Sequence, residues 1–415
     1  MNKKQIYDLA VVGAGACGLF GAIFAAKSGK RVILLEKLPQ IARKLKASGG
    51  GRCNLTNTLS NEEFMQGFGK DGRFMRDALE AFDHHALRAY FDSIGVATDA
   101  LDGFRVFPAT HSSNTIIDAL EKELQNYNVE VITNAKVTNI LTDTDTNKVV
   151  GVATTNANYY AKNTLLATGA LGYPSLGSQG DGYTLAKSVG HTTTQLFPAM
   201  MPLKTKERWV AQCRADTIAK VTIKVALKKY KKLKAVGDLI FTKDGIRGPV
   251  VLDFAREITP LLEKYNSLEV LLNFTKGKNE EQILQHLQNE HFKNPSSSIL
   301  AHLQTLLPLS LAKEIAKLAD IDTTQPLSKI AGAKKAKLYA LLSWTPLTIV
   351  GHDGFDKAMV TRGGITLKEV DPKTMQSKVV ENLYFCGELL NLDGPCGGYN
   401  LQWAFSSGVL SAKLL

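Results

Sequence analysis

Leu9-Ala-Val-Val-Gly-Ala-Gly-Ala-Cys-Gly18 is followed by an alanine-rich stretch and then by Arg31-Val-Ile-Leu-Leu-Glu36. This order of apolar runs and glycines predicts a strand, a tight turn, a helix and a second strand. In such a unit Gly13 makes the turn, Gly15 lets the backbone approach a pyrophosphate, and Gly18 lets the helix pack closely on the strand. The stretch therefore predicts a dinucleotide site at the helix N-terminus, where N–H groups and the helix dipole favour phosphate.

Glu36 ends the second predicted strand, where a carboxylate can accept hydrogen bonds from both ribose hydroxyls of an adenosine. The same carboxylate would repel a 2′-phosphate, so the expected dinucleotide is FAD or NAD. The residues predicted to contact the phosphates are Gly13, Ala14, Gly15, Ala16, Cys17 and Gly18.

The chain has 415 residues, 44% of them hydrophobic and 21% charged, which is typical of an ordered protein of two or three domains. No stretch predicts a membrane-spanning helix, and Asp8 with the following glycines distinguishes the N-terminal segment from a signal peptide. The five cysteines form neither a CxxC pair nor a zinc-binding spacing, so no disulfide framework and no metal site are predicted. We expect a cytoplasmic protein without a membrane partner.

The net charge of +11 is concentrated in one segment. Between Lys204 and Lys234 lie eleven Lys and Arg residues against only Glu207 and Asp216, a local net charge of +9. One interpretation is the solvated outer face of a β-rich domain with a lysine-rich hairpin. The other is a surface for a polyanion, above all RNA. The candidate nucleic-acid-binding residues are Lys228, Lys229, Lys231 and Lys232.

The pattern of apolar residues predicts a first domain that is interrupted and later resumed. Alternating strands and helices run to about residue 197, and residues 350–415 return to that character, so 1–197 and 350–415 form the predicted α/β domain. Residues 198–275 with 325–349 predict an inserted β domain, in which Val250-Val-Leu-Asp253 is one of the expected strands. Residues 276–324 predict a small helical subdomain.

Glycine-bearing segments at 13–18, 49–52, 168–172 and 387–398 follow predicted strands or basic loops. Such segments meet at one edge of a doubly wound sheet, where ligands bind. A dinucleotide with a long ribityl arm needs contacts along its whole length. The number of these segments therefore favours FAD over NAD.

Several motifs along the whole chain are similar to those of one flavoprotein family. They are Gly49-Gly-Gly-Arg-Cys-Asn-Leu-Thr-Asn57, Ala167-Thr-Gly169, Gly177-Ser-Gln-Gly-Asp-Gly-Tyr183, Val360-Thr-Arg-Gly-Gly364, and Gly387-Glu388 with Gly397-Gly-Tyr-Asn-Leu-Gln402. With these motifs the chain resembles the BaiN/RdsA-type FAD-binding flavoproteins, also called the aminoacetone oxidase family. The resemblance implies non-covalent FAD in a glutathione-reductase-like Rossmann domain that is interrupted by a β domain and a small helical domain.

The resemblance also implies where FAD would lie. Glu36 would bind the adenosine ribose, with Lys37 near the adenine, while Arg43 and Lys44 would neutralise the pyrophosphate and Glu388 would bind the ribityl chain. The remaining implied contacts are Ser48, Gly49, Gly50, Gly51, Arg52, Cys53 and Asn54 along the flavin, Val137, Thr168 and Gly169 at the adenosine, Gly387, and Gly397, Gly398, Tyr399, Asn400, Leu401 and Gln402 at the flavin pyrimidine.

Cys53 and Cys396 lie in the two loops that the resemblance places beside the flavin, and they are the candidate catalytic residues. A thiol near the flavin can serve as the general acid in the reduction of a double bond. The alternative is that both only pack as small apolar residues, as expected for Cys17, Cys213 and Cys386.

The sequence thus predicts an FAD-dependent oxidoreductase that transfers hydride at the flavin, with NAD(P)H as one candidate reductant. Only one dinucleotide fingerprint is present, so a pyridine nucleotide would have to reach the flavin directly. The substrate stays open between a small molecule and uridine in ribosomal RNA, which would become dihydrouridine. A third alternative is a flavin-binding module without catalysis, and the oligomeric state is not predicted.

Overall fold

The computed structural model describes residues 6–413 and divides the chain into two compact units. Unit 1 comprises Met1–Pro198 and Met359–Leu415, and unit 2 comprises Ala199–Ala358. In chain order the strands are β1 (Ile6–Val12), β2 (Val32–Leu35), β3 (Thr56–Asn57), β4 (Thr98–Asp99), β5 (Arg105–Pro108), β6 (Glu130–Ile132), β7 (Val137–Asp143), β8 (Lys148–Thr154), β9 (Asn158–Leu166), β10 (Phe197–Ala199), β11 (Leu203–Thr205), β12 (Thr217–Val225), β13 (Lys234–Phe241), β14 (Gly245–Arg247), β15 (Leu268–Asn273), β16 (Thr345–His352), β17 (Val360–Arg362) and β18 (Leu383–Phe385).

The α-helices of the described residues, in chain order, are α1 (Ala16–Lys27), α2 (Arg43–Ala47), α3 (Asn61–Gln66), α4 (Arg76–Ala81), α5 (His84–Ser93), α6 (Ser113–Asn126), α7 (Asp181–Ser188), α8 (Pro249–Tyr265), α9 (Glu280–Lys293), α10 (Ile299–Leu303), α11 (Leu309–Leu318), α12 (Gly332–Ser343) and α13 (Tyr399–Lys413). Within residues 6–413, no helix combines the length and the apolar character that a membrane crossing requires.

Unit 1 is built on a parallel sheet with the strand order β6-β2-β1-β9-β18. β7 and β8 form an antiparallel hairpin that pairs with the first half of β9. All four residues of β2 are buried, as expected for a parallel strand that is covered on both faces. The Rossmann-type α/β domain predicted from the sequence is therefore confirmed.

The ends of four parallel strands lie level with one another. Val12 of β1 pairs with Leu35 of β2 and with Leu166 of β9, and Leu166 also pairs with Phe385 of β18. The segments that follow emerge along one edge of the sheet, which is the ligand-binding edge of open α/β sheets. These segments are the Gly13 turn, Glu36, the turn that contains Thr168 and Gly169, and Gly387-Glu388.

Glycines let α1 approach its neighbours closely. A Cβ on Gly18 would overlap the carbonyl oxygen of Gly13, so the helix could not sit this near the phosphate turn with a larger residue. On the other side, a Cβ on Gly408 of α13 would overlap the carbonyl oxygen of Cys17. The first and last helices of unit 1 thus pack in one core beside the turn.

Unit 2 contains a closed antiparallel barrel with the strand order β11-β14-β13-β12-β15-β16. Alternate residues of its strands, such as Val221, Ile223 and Val225, are buried inside. Helical residues including Ile283 and Leu311 belong to the same hydrophobic core as the barrel. A separate helical subdomain at 276–324 stays a prediction, and the predicted boundary at residue 350 falls within β16.

The expected strand at Val250–Asp253 is wrong. These residues belong to α8, which begins at Pro249 and continues to Tyr265. Proline is favoured at the first helical position because its φ suits a helix and its missing N–H is not needed there. The apolar residues also recur at helical spacing well beyond the short run: Val250, Val251, Phe254, Ala255, Ile258 and Leu262 are all buried.

Candidate functional site

The turn after β1 leaves room for a ligand. Gly13 has a φ of +101°, and a Cβ there would lie 2.6 Å from the carbonyl oxygen of Ala167, so this position needs glycine. At Gly15, by contrast, a Cβ would meet no atom within 4 Å. Gly15 is the N-cap of α1 and has no side chain to cap the first N–H groups. Open space beside helix N-terminal donors fits a pyrophosphate.

Glu36 is held by the backbone around the same turn. Its carboxylate accepts hydrogen bonds from the N–H groups of Ala14 and Leu38, both at 2.9 Å, and the residue is only 9% exposed. Each carboxylate oxygen can accept a further bond, which fits the two hydroxyls of a ribose. The N–H of Ala135 donates to the Glu36 carbonyl oxygen at 2.8 Å, so the chain leading to Val137 runs beside Glu36.

Lys37 has an acidic partner that the sequence analysis missed. Its ammonium group forms an ion pair with Asp181 and lies 3.1 Å from Oε1 of Gln179. Lys136 reaches the other Asp181 oxygen at 3.1 Å. Burial opposes ionisation of Asp181, but the two lysines outweigh it and hold the pKa of this carboxyl below its ordinary value. The Gly177–Tyr183 motif contains both missed residues and was the available signal.

Glu388 forms an ion pair with Lys44. Oε2 of Glu388 accepts a hydrogen bond from Nζ of Lys44 at 2.7 Å, and Oε1 accepts one from the N–H of Thr361 at 2.8 Å. Thr361 is another residue that the sequence analysis missed, although it lies in the Val360–Gly364 motif. The carboxylate keeps capacity for hydroxyl donors such as those of a ribityl chain. Arg43 is exposed at the start of α2.

The loop at 48–54 offers backbone rather than side chains to a ligand. A Cβ on Gly50 or Gly51 would meet no atom within 4 Å, so a flat ring could approach this part of the loop. The guanidinium of Arg52 lies 5.0 Å from the centre of the Phe107 ring. This contact engages the Arg52 side chain with Phe107. The left-handed residues of the loop are Gly49, Gly50, Gly51 and Cys53, with φ between +58° and +86°.

The loop before α13 packs directly on this glycine-rich region. Nδ2 of Asn57 donates a hydrogen bond to the carbonyl oxygen of Gly397 at 2.9 Å. A Cβ on Gly398 would overlap the backbone of Thr56, so only glycine allows the contact. The two loops that the resemblance places beside the flavin are therefore neighbours in unit 1.

The side chains at 399–402 are engaged within unit 1. The ring of Tyr399 stacks on Phe64 with centroids 4.9 Å apart, and Asn400 exchanges two hydrogen bonds with the backbone of Gly394. Gln402 donates to the carbonyl oxygen of Phe82 at 3.0 Å, and Leu401 packs on the core. A ligand near the start of α13 would therefore meet mainly backbone.

Gly387 connects this C-terminal region to the phosphate turn. Its φ is +66°, and a Cβ there would lie 2.8 Å from the sulfur of Cys17 in α1. Its N–H donates to Oγ of Ser407 at 2.9 Å, and its carbonyl oxygen accepts from Nε1 of Trp403 at 3.0 Å. α13 thus fixes Gly387 against the first turn of α1.

The two candidate catalytic cysteines lie in different environments. Cys53 has no exposed surface and belongs to the core of unit 1, and burial raises the pKa of its thiol to about 12. Such a thiol is a weak acid at neutral pH, so Cys53 is better suited to packing than to proton transfer. Cys396 is partly exposed in the loop before α13, where a substrate could reach it.

A buried network in unit 1 resembles a hydrolase triad in its contacts. Nδ1 of His191 lies 3.1 Å from Oε2 of Glu369, and Nε2 lies 2.8 Å from Oγ of Ser377. The Ser377 hydroxyl also accepts hydrogen bonds from the N–H groups of Val379 and Val380. Its lone pairs are therefore occupied, and the network is structural. Among residues 6–413 no group of three or more His, Cys, Asp or Glu side chains could hold a metal ion.

The candidate nucleic-acid-binding residues lie on the turn between β12 and β13 of unit 2. We call this turn, with Lys228, Lys229, Lys231 and Lys232, the lysine turn, and all four side chains are exposed. Tyr230 lies among them, and its hydroxyl is 3.4 Å from that of Tyr265. Unit 2 contains 25 Lys and Arg against 16 Asp and Glu, so +9 of the net charge of +11 lies there.

Comparison with known protein families decides the assignment. The family described as HI0933-like protein Rossmann domain matches residues 7–414. The chain belongs to this family. The HI0933-like assignment confirms the resemblance inferred from the motifs, and it makes the chain an FAD-dependent oxidoreductase with the Rossmann fold.

Two curated relatives of this HI0933-like chain align over nearly its whole length. One is 3-dehydro-bile acid delta(4,6)-reductase of Clostridium scindens, 31% identical over 98% of both chains. Another is ribosomal RNA dihydrouridine synthase of Haemophilus influenzae, 28% identical over 99% of this chain and 98% of the relative. Among solved structures, 3-ketosteroid delta1-dehydrogenase of Sterolibacterium denitrificans has a TM-score of 0.54 at 11% identity, covers 99% of both chains, and shows the shared fold.

Proposed function

We propose that this FAD-dependent oxidoreductase reduces a carbon–carbon double bond conjugated with a carbonyl group. The names of the two curated relatives support this reaction class. Conversion of uridine to dihydrouridine saturates such a bond in the pyrimidine ring. A delta(4,6)-reductase of a 3-dehydro-bile acid acts on double bonds that are conjugated with the 3-oxo group. The substrates differ in size and charge, but the bond that is reduced is of the same kind.

We propose that FAD is bound through the contacts predicted from the sequence. Three observations of unit 1 support this: the open space at Gly15, the doubly hydrogen-bonded carboxylate of Glu36, and the exposed backbone of Gly50 and Gly51 beside the loop before α13. Lys44 and Glu388 would act as a joined pair, the ammonium towards phosphate and the carboxylate towards ribityl hydroxyls. When bound, FAD supplies the hydride.

The protein must supply a proton to the carbon next to the carbonyl group, and we assign that role to Cys396. Cys396 is a partly exposed residue, whereas Cys53 is fully buried and its burial raises the pKa of its thiol. The S–H bond of Cys396 would break as the C–H bond forms, and water would later return a proton to the sulfur. The hydride and this proton together account for both hydrogens added across the double bond.

For the substrate we propose uridine in ribosomal RNA, and the lysine turn is the observation that carries the choice. Four exposed lysines within five residues create a local positive electrostatic potential. Binding of a neutral or singly charged small molecule does not require such a potential. RNA offers a phosphate for each of them, and Tyr230 lies among the lysines as an aromatic ring on which a base can stack. A small conjugated ketone is the second candidate, favoured by the bile acid reductase relative.

The deciding experiment compares two variants with equal charge changes. In the first, Lys228, Lys229, Lys231 and Lys232 are replaced by Glu. In the control, the exposed unit 1 residues Lys122, Lys187, Lys373 and Lys378 are replaced by Glu. Only the first variant should lose affinity for ribosomal RNA and the steep salt dependence of binding, because each lost phosphate contact removes one released counterion.

Nucleoside mass spectrometry completes this test. Ribosomal RNA from a strain that lacks the protein should contain less dihydrouridine, and the wild-type gene should restore it. An unchanged dihydrouridine content, or equal RNA affinity of the two charge variants, would favour the small-molecule substrate.

We propose NAD(P)H as the reductant. The chain has a single dinucleotide turn, so the nicotinamide would have to visit the flavin rather than occupy a second Rossmann site. Anaerobic mixing with NADH or NADPH should bleach the flavin absorbance. A flavin that neither nucleotide reduces, in a protein that also lacks turnover with an artificial reductant, would support the alternative of a non-catalytic flavin-binding module.

A further inference from the structure

Two tyrosines meet at the lysine turn of unit 2. Tyr230 lies within that turn, and Tyr265 is the last residue of α8. Their ring centroids are 6.3 Å apart with the ring planes at 70°, and their hydroxyl groups are 3.4 Å apart. We call these two residues the tyrosine pair. It joins the lysine turn to the end of α8, a segment that the sequence analysis did not include in the basic surface.

Different parts of unit 2 hold the two rings. Tyr230 packs against the hydrophobic core, and its backbone N–H and carbonyl oxygen form hydrogen bonds with Leu227 and Leu233 at 2.9 and 2.8 Å. Tyr265 ends α8, whose residue Leu262 is buried in the same core, yet Tyr265 itself is 39% exposed. Rings that are already held in place lose little conformational freedom when a ligand stacks on them, which favours binding.

Each ring of the tyrosine pair has an ammonium group beside it. Nζ of Lys229 lies 5.6 Å from the centre of the Tyr230 ring, and Nζ of Lys264 lies 5.4 Å from the centre of the Tyr265 ring. Lys264 is exposed, so the positive surface extends beyond the lysine turn. Residues 228–234 contain five lysines and no Asp or Glu. A nucleotide carries a phosphate and a base on one ribose, so a ring with a cation beside it offers a partner to both groups.

We infer that the tyrosine pair and the lysines around it form a binding site for an unpaired segment of RNA, whose bases stack on the two rings while its phosphates contact the lysines. The inference rests on the proposed RNA substrate and goes beyond it, because lysines alone attract the phosphates of paired and unpaired RNA alike. In a duplex the bases stack on one another, whereas in loops and single strands their faces are open to aromatic side chains.

The angle between the two rings also favours an unpaired strand. Consecutive bases of a duplex are nearly parallel, but two bases that stack on rings inclined at 70° to each other cannot be parallel. The strand must therefore bend between them. A single strand can bend in this way, whereas a duplex would first have to lose its pairing and stacking at that point.

The test measures binding of two RNA probes to the FAD-loaded protein: single-stranded oligouridine, and a duplex of oligouridine with oligoadenosine. Tyr265→Ala should weaken binding of the single strand by about 5- to 150-fold, the range expected for loss of one stacked base. Duplex binding and the slope of the salt dependence should not change, because no phosphate contact is lost. Tyr265→Phe keeps the ring and should bind the single strand like the wild type.

Phe292→Ala is the matched control, because Phe292 is another exposed aromatic residue of unit 2, in α9 and 87% exposed. It should bind both probes like the wild type. Tyr230→Ala should act like Tyr265→Ala. Tyr230 packs on the core, so the exposed Tyr265 decides should Tyr230→Ala fold poorly. Ultraviolet cross-linking of the wild-type complex, followed by peptide mass mapping, should place uridine on Tyr230 or Tyr265.

The outcomes separate this inference from the proposed substrate. The inference alone is overturned if Tyr265→Ala leaves single-strand binding intact while replacement of the four lysines of the lysine turn by Glu abolishes it. Equal weakening of both probes by Tyr265→Ala would also overturn it, because the ring would then support the turn rather than bind a base. A wild-type protein that binds neither probe would contradict the RNA substrate itself, and the inference with it.

Discussion

Gly15→Ala and Gly13→Ala should separate FAD binding from folding. A Cβ on Gly15 meets no protein atom, and its φ of −84° is one that alanine adopts freely. At this N-cap the smaller entropy of the unfolded chain favours alanine by about 0.4–1 kcal/mol, but alanine caps a helix less well than glycine by a similar amount, so the free energy of unfolding should change little. The methyl group would nevertheless occupy the space that fits the pyrophosphate. Loss of one charge-assisted hydrogen bond there costs about 1.5–3 kcal/mol, which corresponds to about 10- to 150-fold weaker FAD binding.

Gly13→Ala should instead damage the fold itself. Its φ is +101°, and the new Cβ would lie 2.6 Å from the Ala167 carbonyl oxygen, so the strained backbone alone costs about 1–3 kcal/mol of stability. Urea unfolding without added FAD measures stability, and titration with FAD, followed by flavin fluorescence, measures affinity. The reasoning fails if Gly15→Ala binds FAD as tightly as the wild type, or if it is destabilised as much as Gly13→Ala.

Three further predictions follow from single contacts. Glu36→Gln presents an amide N–H to one of its two backbone donors and should lower stability by about 1–3 kcal/mol in urea unfolding, with weaker FAD binding; unchanged values would contradict the assigned contacts. Burial lowers the pKa of His191 below 6.5, so its stabilising contribution is present above that pH and is lost as the pH falls. The difference in unfolding free energy between wild type and His191→Gln should accordingly shrink between pH 7 and pH 5, and a constant difference would refute this. Cys396→Ala should keep FAD but lose product formation, whereas Cys53→Ala should keep turnover and lose about 1 kcal/mol of stability; normal turnover of both would assign the proton to another donor.

The elements that the sequence predicts correctly are those whose signal is local. The phosphate turn and its helix are specified by glycines at fixed offsets between two apolar runs, and β13 is found at Lys234–Phe241 as expected. The error at Val250–Asp253 has the same origin, because a four-residue apolar run is compatible with a strand or with part of a helix. Pro249 and the later apolar residues of α8 distinguish the two.

The contacts of the site join residues that are far apart in the chain. Lys44 pairs with Glu388, 344 positions later in the chain, and Lys37 pairs with Asp181, 144 positions later. No local sequence pattern predicts either pair. These pairs form because the parallel strands end at the same level, so the segments that follow them lie along one edge of the sheet. A local pattern can specify a turn, but only the register of the strands specifies which turns meet.

The cysteines also show which properties follow from the local sequence and which depend on the tertiary structure. The amino-acid sequence by itself determined the βαβ unit, the carboxylate at Glu36, the glycine-rich loops and the concentration of positive charge at 204–234. It placed Cys53 and Cys396 in equivalent settings, both in glycine-rich loops. Only the tertiary structure buries Cys53 completely and leaves Cys396 partly exposed. Burial depends on packing between segments that are distant in the chain, whereas the geometry of a turn is set within a few residues.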